Sequence, residues 1–229
     1  MARAGDEIYN PVQGDSIKFR ETARDTGGQL MSGEIVVSPR GGNPLHVHPL
    51  QEEHFEVLSG TFGVQIGDEQ RSLVEGEEAT VPPGAPHRWF NEDEQEEARV
   101  LVELRPALNT ETFFETHYGL ARDGKTDENG APSLLQQAVT LTGVNKGEIY
   151  LAWPPIPVQK ALLAALAPVG RLLGYKDYYP KYSAAETPSG ERAGPPSTTS
   201  VMTRALAMAA TLLVASLFLL GKMRWLGKG

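Results

Sequence analysis

The sequence predicts a mainly β fold, a small barrel or sandwich of short strands with helices appended after it. Three observations carry this. Between about residues 15 and 106, apolar side chains recur with period two, as in Val100, Val102 and Leu104, which is the repeat of a half-buried strand. The runs are short and split by turns such as Ser59-Gly60 and Gly67-Asp68, leaving little room for helices. After Pro106 the apolar spacing lengthens to three and four and residues that cap helices appear.

Residues 1–10 are polar, with no apolar stretch behind a basic start, so no signal peptide is visible. Strands are predicted over 30–38, where Ile35, Val36 and Val37 are β-branched, over 55–58 and 61–66, and over 98–104. The acidic run 92–97 reads as a solvated hairpin tip. Asn109 or Thr110 caps a helix carrying Phe113, Phe114, His117 and Tyr118, and Ser133 caps one over 134–141. A third helix, over 154–173, places Val158, Leu162, Leu166, Val169 and Leu173 on one face and is expected to kink at Pro168. These helices are expected to pack on the strands or on a second copy.

The domain organisation follows: strands over 15–106, a helical extension over 107–182, a Pro/Gly-rich flexible linker over 183–204 and a transmembrane helix over 205–221. The sixteen uncharged residues 205–220 span about 24 Å as a helix. With Arg204 and Lys222 snorkelling and Trp225 at the interface, the segment reaches the roughly 30 Å hydrocarbon core. Basic residues beyond it favour a cytoplasmic tail, but the missing signal weighs more, and the body is expected in the cytoplasm on a single-pass C-terminal anchor.

Composition narrows the chemistry. The 229 residues include 29 acidic and 21 basic side chains, net −8. Residues 183–229 are net positive by three, leaving −11 on residues 1–182. An acidic body does not neutralise phosphates, so no nucleic-acid partner is expected. The absence of cysteine removes disulfides, thiolate metal sites and cysteine nucleophiles together.

His46-Val47-His48 directs two imidazoles to one side of a strand, a common start for a transition-metal site but a weak signal alone. Glu53 and Gly60 follow, then Gly76, Pro82, Gly84, His87 and Asn91 at the spacing G-x5-P-x-G-x2-H-x3-N. With these residues the chain resembles the cupins, whose first motif is G-x5-H-x-H-x3,4-E-x6-G and whose second is the spacing just given. The second motif matches at every fixed position and the first from His46 onward. Its leading glycine falls on Arg40, beside Gly41 and Gly42.

The resemblance implies a cupin barrel, a double-stranded β-helix or jelly roll. It implies His46, His48, Glu53 and His87 as ligands of one divalent transition metal ion (Fe, Mn, Cu, Ni or Zn). It also implies a homodimer. His54 is expected to face solvent and His117 to pack between helices. Strand alternation turns Phe55, Val57, Trp89 and Asn91 inward with Glu53 and His87. These residues either line a substrate pocket without Lys or Arg, suited to a small apolar or aromatic molecule, or simply fill the core. Two functions are weighed: a metal-dependent oxidoreductase of dioxygenase type with Glu53 also serving as base, and a non-catalytic ligand-binding or sensing module anchored to the membrane.

Overall fold

The computed structural model describes residues 1–183; the predicted membrane helix 205–221 and all but the first residue of the predicted linker lie outside the described residues. Eleven strands form among them: β1 (Glu7–Asn10), β2 (Asp15–Glu21), β3 (Met31–Val37), β4 (His46–Val47), β5 (Glu52–Ser59), β6 (Thr61–Ile66), β7 (Glu69–Val74), β8 (Glu78–Val81), β9 (His87–Phe90), β10 (Ala98–Arg105) and β11 (Tyr150–Leu151). Buried and more exposed positions alternate along β5, β8, β9 and β10. Ala98, Val100, Val102 and Leu104 turn inward on β10, and Glu53, Phe55 and Val57 do so on β5, so one face of each strand builds the core.

The strands divide into a six-stranded sheet of order β1-β2-β3-β10-β5-β8 and a five-stranded sheet of order β11-β4-β9-β6-β7. The fold is the expected mainly β jelly roll, but among the described residues neither sheet closes on itself, so it is a sandwich of two open sheets rather than a barrel. The reason lies at the crossings. β5 and β6 are separated only by Gly60, yet they belong to different sheets. Gly60 has φ +80°, and a Cβ there would meet the Glu97 carbonyl oxygen at 2.6 Å. Only glycine makes that corner, and it sends the chain across the sandwich instead of into a hairpin that would extend one sheet. Phe55, Phe62 and Trp89 meet in the interior, Phe55 and Phe62 with ring centroids 5.3 Å apart and Phe62 and Trp89 6.1 Å apart.

The strand set begins at Glu7, ahead of the predicted residue 15, and the segment 107–182 returns one strand, β11, to pair with β4. That segment otherwise holds α1 (Thr110–Arg122), α2 (Leu134–Thr142), α3 (Ile156–Leu172) and a 3-10 turn at Pro180–Tyr182. Ser133 caps α2, its hydroxyl accepting from the Gln136 N–H at 3.3 Å. Pro168 is accommodated inside α3, which continues to Leu172.

The packed face of α3 differs from the predicted one. Leu163, Ala167 and Gly170 are its buried residues, whereas Val158, Leu162, Val169 and Leu173 are exposed. Side-chain size decides this. A Cβ on Gly170 would come within 2.6 Å of Val139 Cγ2 and 2.9 Å of the Leu135 carbonyl oxygen, so α2 and α3 approach through small residues. The large apolar face is left outward.

Candidate metal centre

The two sheets bring the cupin-motif residues together across the sandwich. β4 carries His46, which pairs in register with His87 on β9, and His48 follows immediately after β4. Glu53 comes from β5 in the other sheet. The ligand atoms of His46, His48, Glu53 and His87 lie within 4.8 Å of one another. His46, Glu53 and His87 are buried, and the His48 side chain is nearly so.

Each imidazole is oriented by a backbone carbonyl. Nδ1 of His46 lies 2.9 Å from Pro44 O, that of His87 2.9 Å from Ala85 O, and that of His48 3.1 Å from Glu148 O. A carbonyl only accepts, so Nδ1 carries the hydrogen in each ring and Nε2 is left to face the cluster. The Nε2 atoms of His46 and His48 then meet at 3.2 Å with lone pairs opposed. A cation among them would relieve that repulsion by accepting both lone pairs. Three imidazole nitrogens and one carboxylate are a donor set for a divalent transition metal. The residues present therefore fit the ion that the motifs imply.

Electrostatics prepares the same set. Burial, with His48 and His87 alongside, pushes His46 down to about 3, and burial lowers His48. His46 is therefore neutral, as a ligand must be. His87 behaves differently. Burial disfavours its charged form, but the Glu53 carboxylate, 2.7 Å from its Nε2, outweighs burial and raises it. Glu53 mirrors this. Burial favours its neutral acid, yet the His87 hydrogen bond and the surrounding imidazoles hold its pKa below the ordinary value.

A cavity of about 230 Å³ opens onto this cluster. Trp89 lines it, together with Phe113, Phe114 and His117 of α1 and Tyr150 of β11, and among the described residues no Lys or Arg does. Phe55 and Val57 are inward but lie in the core rather than on the cavity wall. Asn91 is buried in a structural role, its Nδ2 donating to Val37 O at 3.1 Å and Glu96 O at 2.8 Å. His54 is partly buried, with Nδ1 3.0 Å from Thr80 Oγ1.

Several cavity residues were not assigned to the site from the sequence, among them His117, which was expected to pack between helices and instead lines the cavity. His117 stacks on Phe113 with ring centroids 5.5 Å apart, and burial holds it near 4, so the ring is neutral. The i, i+4 pairing of Phe113 and His117 was a readable signal that they share a helix face. Asp15 and Tyr118 also line the cavity. The Tyr118 hydroxyl donates to Asp15 Oδ2, while buried Asp15 Oδ1 has no partner. Burial raises Asp15 to about 6 against the opposing effect of that hydrogen bond. Nothing local to either residue announces this pair, whose members are 103 positions apart.

Residues 33–103 match the cupin domain family; that stretch runs from within β3 into β10 and holds the buried His46, His48, Glu53 and His87 group. Beyond that class, the chain is similar to an oxidoreductase of Arthrobotrys oligospora, 30% identical over 154 residues, covering 61% of this chain and 59% of the relative. It is also similar to a probable oxidoreductase of Hypocrea virens, 29% identical over 197 residues, covering 78% and 87%. The chain thus spans about three fifths of the first of these relatives. Among solved structures, an RmlC-like cupin from Shewanella frigidimarina aligns over 47% of this chain and 89% of its own at 18% identity and a TM-score of 0.39.

Proposed function

We propose that the protein is a metal-dependent oxidoreductase of dioxygenase type acting on a small apolar or aromatic molecule. The observation that carries this reading is the apolar, aromatic-walled cavity opening directly onto the four-residue cluster. The relatives named as oxidoreductases support the reaction class.

His46, His48, Glu53 and His87 would hold a divalent transition metal ion, which would supply a Lewis acid and, for iron, manganese, copper or nickel, redox chemistry. The chain's own residues do the rest. The carbonyls of Pro44, Ala85 and Glu148 fix the three rings. Trp89, Phe113 and Phe114 exclude water and hold an apolar ring by contact. Glu53 is the carboxylate placed to take a proton from a hydroxyl delivered to the cluster. With no lysine or arginine among the described residues of the wall, a phosphorylated or dicarboxylate substrate finds no fixed counter-charge there, whereas a neutral one needs none. The uncharged segment 205–220 supports a membrane anchor for this activity.

The test is oxygen uptake by the metal-loaded full chain against a panel of phenols, with isotopically labelled dioxygen. Consumption of dioxygen with both labelled atoms in the product is expected. Saturable binding of panel members without uptake, across iron-, manganese-, copper- and nickel-loaded protein, would replace this reading with a ligand-binding module.

A further inference from the structure

The metal centre accounts for one part of the cavity wall and leaves another unexplained. Asp15, the first residue of β2, lines the same cavity and is 4% exposed. Its strand lies three places from β5, which carries Glu53, in the order of the six-stranded sheet. The two oxygens of its carboxylate differ. Oδ2 accepts from the Tyr118 hydroxyl, whereas Oδ1 is buried without a hydrogen-bond partner. Thr116 also lines the cavity, and its buried hydroxyl oxygen has no partner either. A buried polar atom left unpaired costs stability, and a buried carboxylate costs more when no cation neutralises it. Among the described residues no Lys or Arg lines this cavity. Packing does not ask for a carboxylate here, because Ile17 and Phe19, the next inward positions of β2, are apolar. Tyr118 does not ask for one either, since its hydroxyl needs a single acceptor and Oδ2 supplies it.

We propose that Asp15 orients the ligand, its Oδ1 accepting a hydrogen bond from a hydroxyl group at the end of the molecule away from the four-residue cluster. The ligand class is then a hydroxylated aromatic that carries this hydroxyl in addition to any group delivered to the cluster. The inference deepens the function proposed above and rests on it only in taking the cavity as a ligand site. A hydroxyl suits the wall better than an ammonium. It brings one hydrogen to the one open carboxylate oxygen. An ammonium brings three, and among the described residues it finds only Thr116 Oγ1 as a further unpartnered side-chain oxygen on this wall. A ligand carboxylate or phosphate is repelled by the same group. With its pKa raised by burial to about 6, Asp15 is ionised above neutrality, and Oδ1 is an acceptor there.

The test is calorimetric binding to the zinc-loaded full-length protein at pH 8, with 2,6-dihydroxynaphthalene and 2-naphthol as probes. Zinc has no redox chemistry, so binding is read whether or not the protein consumes dioxygen. The wild-type protein is expected to bind the dihydroxy probe about tenfold more tightly or better, the contribution of one hydrogen bond to a charged group. Asp15→Asn leaves a neutral acceptor and is expected to reduce that preference. Asp15→Val with Tyr118→Phe removes both partners together, which spares the fold an orphaned hydroxyl; it is expected to abolish the preference while leaving the affinity for 2-naphthol nearly unchanged. A purely structural role for Asp15 would weaken both probes alike. The proposal is overturned by equal binding of the two probes to the wild-type protein, by binding of neither, or by a preference that survives in both variants. Tighter binding of 6-(aminomethyl)-2-naphthol than of the dihydroxy probe also overturns it and assigns the position to an ammonium.

Discussion

Each ligating ring is held from behind by a backbone carbonyl, so removing one ring leaves the other donors poorly matched to an ion. His48→Ala and His87→Ala are each expected to strip the protein of its divalent ion, read by elemental analysis after gel filtration; full metal content in both variants would remove the site assignment. The hydrogen bond from His87 Nε2 to Glu53 has a further consequence. In the metal-free state that nitrogen carries a proton which an ion must displace. Metal affinity should therefore fall as pH drops through the raised His87 pKa, and calorimetry in buffers of different ionisation enthalpy should detect the released proton. Asp15 offers a separate handle on stability. Its folded pKa of about 6 exceeds the ordinary carboxylate value, so its stabilising contribution is full below about pH 4 and is lost as pH rises through about 6. Asp15→Asn keeps an acceptor for Tyr118 without the buried charge. It should raise the melting temperature near pH 8, by an amount worth at most about 3 kcal/mol, and leave it nearly unchanged near pH 4. A melting curve shifted equally at both pH values would contradict this account.

At the scale of elements, the helical segment contributes directly to the metal centre. The Glu148 carbonyl oxygen fixes His48, while its carboxylate accepts from the Asn109 side chain at 2.8 Å and from Asn145 Nδ2 at 2.9 Å, joining the start of α1 to that loop. Glu148→Ala should loosen the loop and lower metal affinity by about tenfold or more, measured by competition with a chelating dye; unchanged affinity would mean that the loop is held by other contacts. The strands were legible because they rest on local pattern, period two setting which face Glu53 and Trp89 occupy, and the four residues that the cupin resemblance implies as donors are the ones the fold gathers into one cluster. The packed face of α3 was not legible. Apolar residues surround that helix, so periodicity cannot choose a side, and the choice falls to Ala167 and Gly170, whose role is close approach to Val139 and Leu135. The same limit hid Asp15 and Tyr118, which meet only through the docking of α1 beside β1 and β2.

For the molecule as a whole, the donor set spans both sheets, three histidines from one side and Glu53 from the other. A bound ion thus ties the sheets together, and ion binding adds to folding stability. At an ion concentration about one hundred times the dissociation constant, the gain should be about 2.7 kcal/mol. A chelator should lower the melting temperature of the wild-type protein and leave that of His87→Ala unmoved; equal responses would show that the ion sits elsewhere. The sequence pattern could not reveal whether the strands would close into a barrel, because closure depends on which sheet β6 joins after the Gly60 corner. That corner is set by contact with Glu97 O, 37 residues further on.

The split donor set also gives the centre a timetable. During synthesis His46, His48 and Glu53 leave the ribosome first, and His87 follows 34 residues after Glu53. Until β9 pairs beside β4, the nascent chain offers an ion at best a loose, incomplete chelate. Tight capture would wait for long-range pairing, so an ion held there would be selected by the finished sandwich and not by the order in which the emerging polypeptide meets ions.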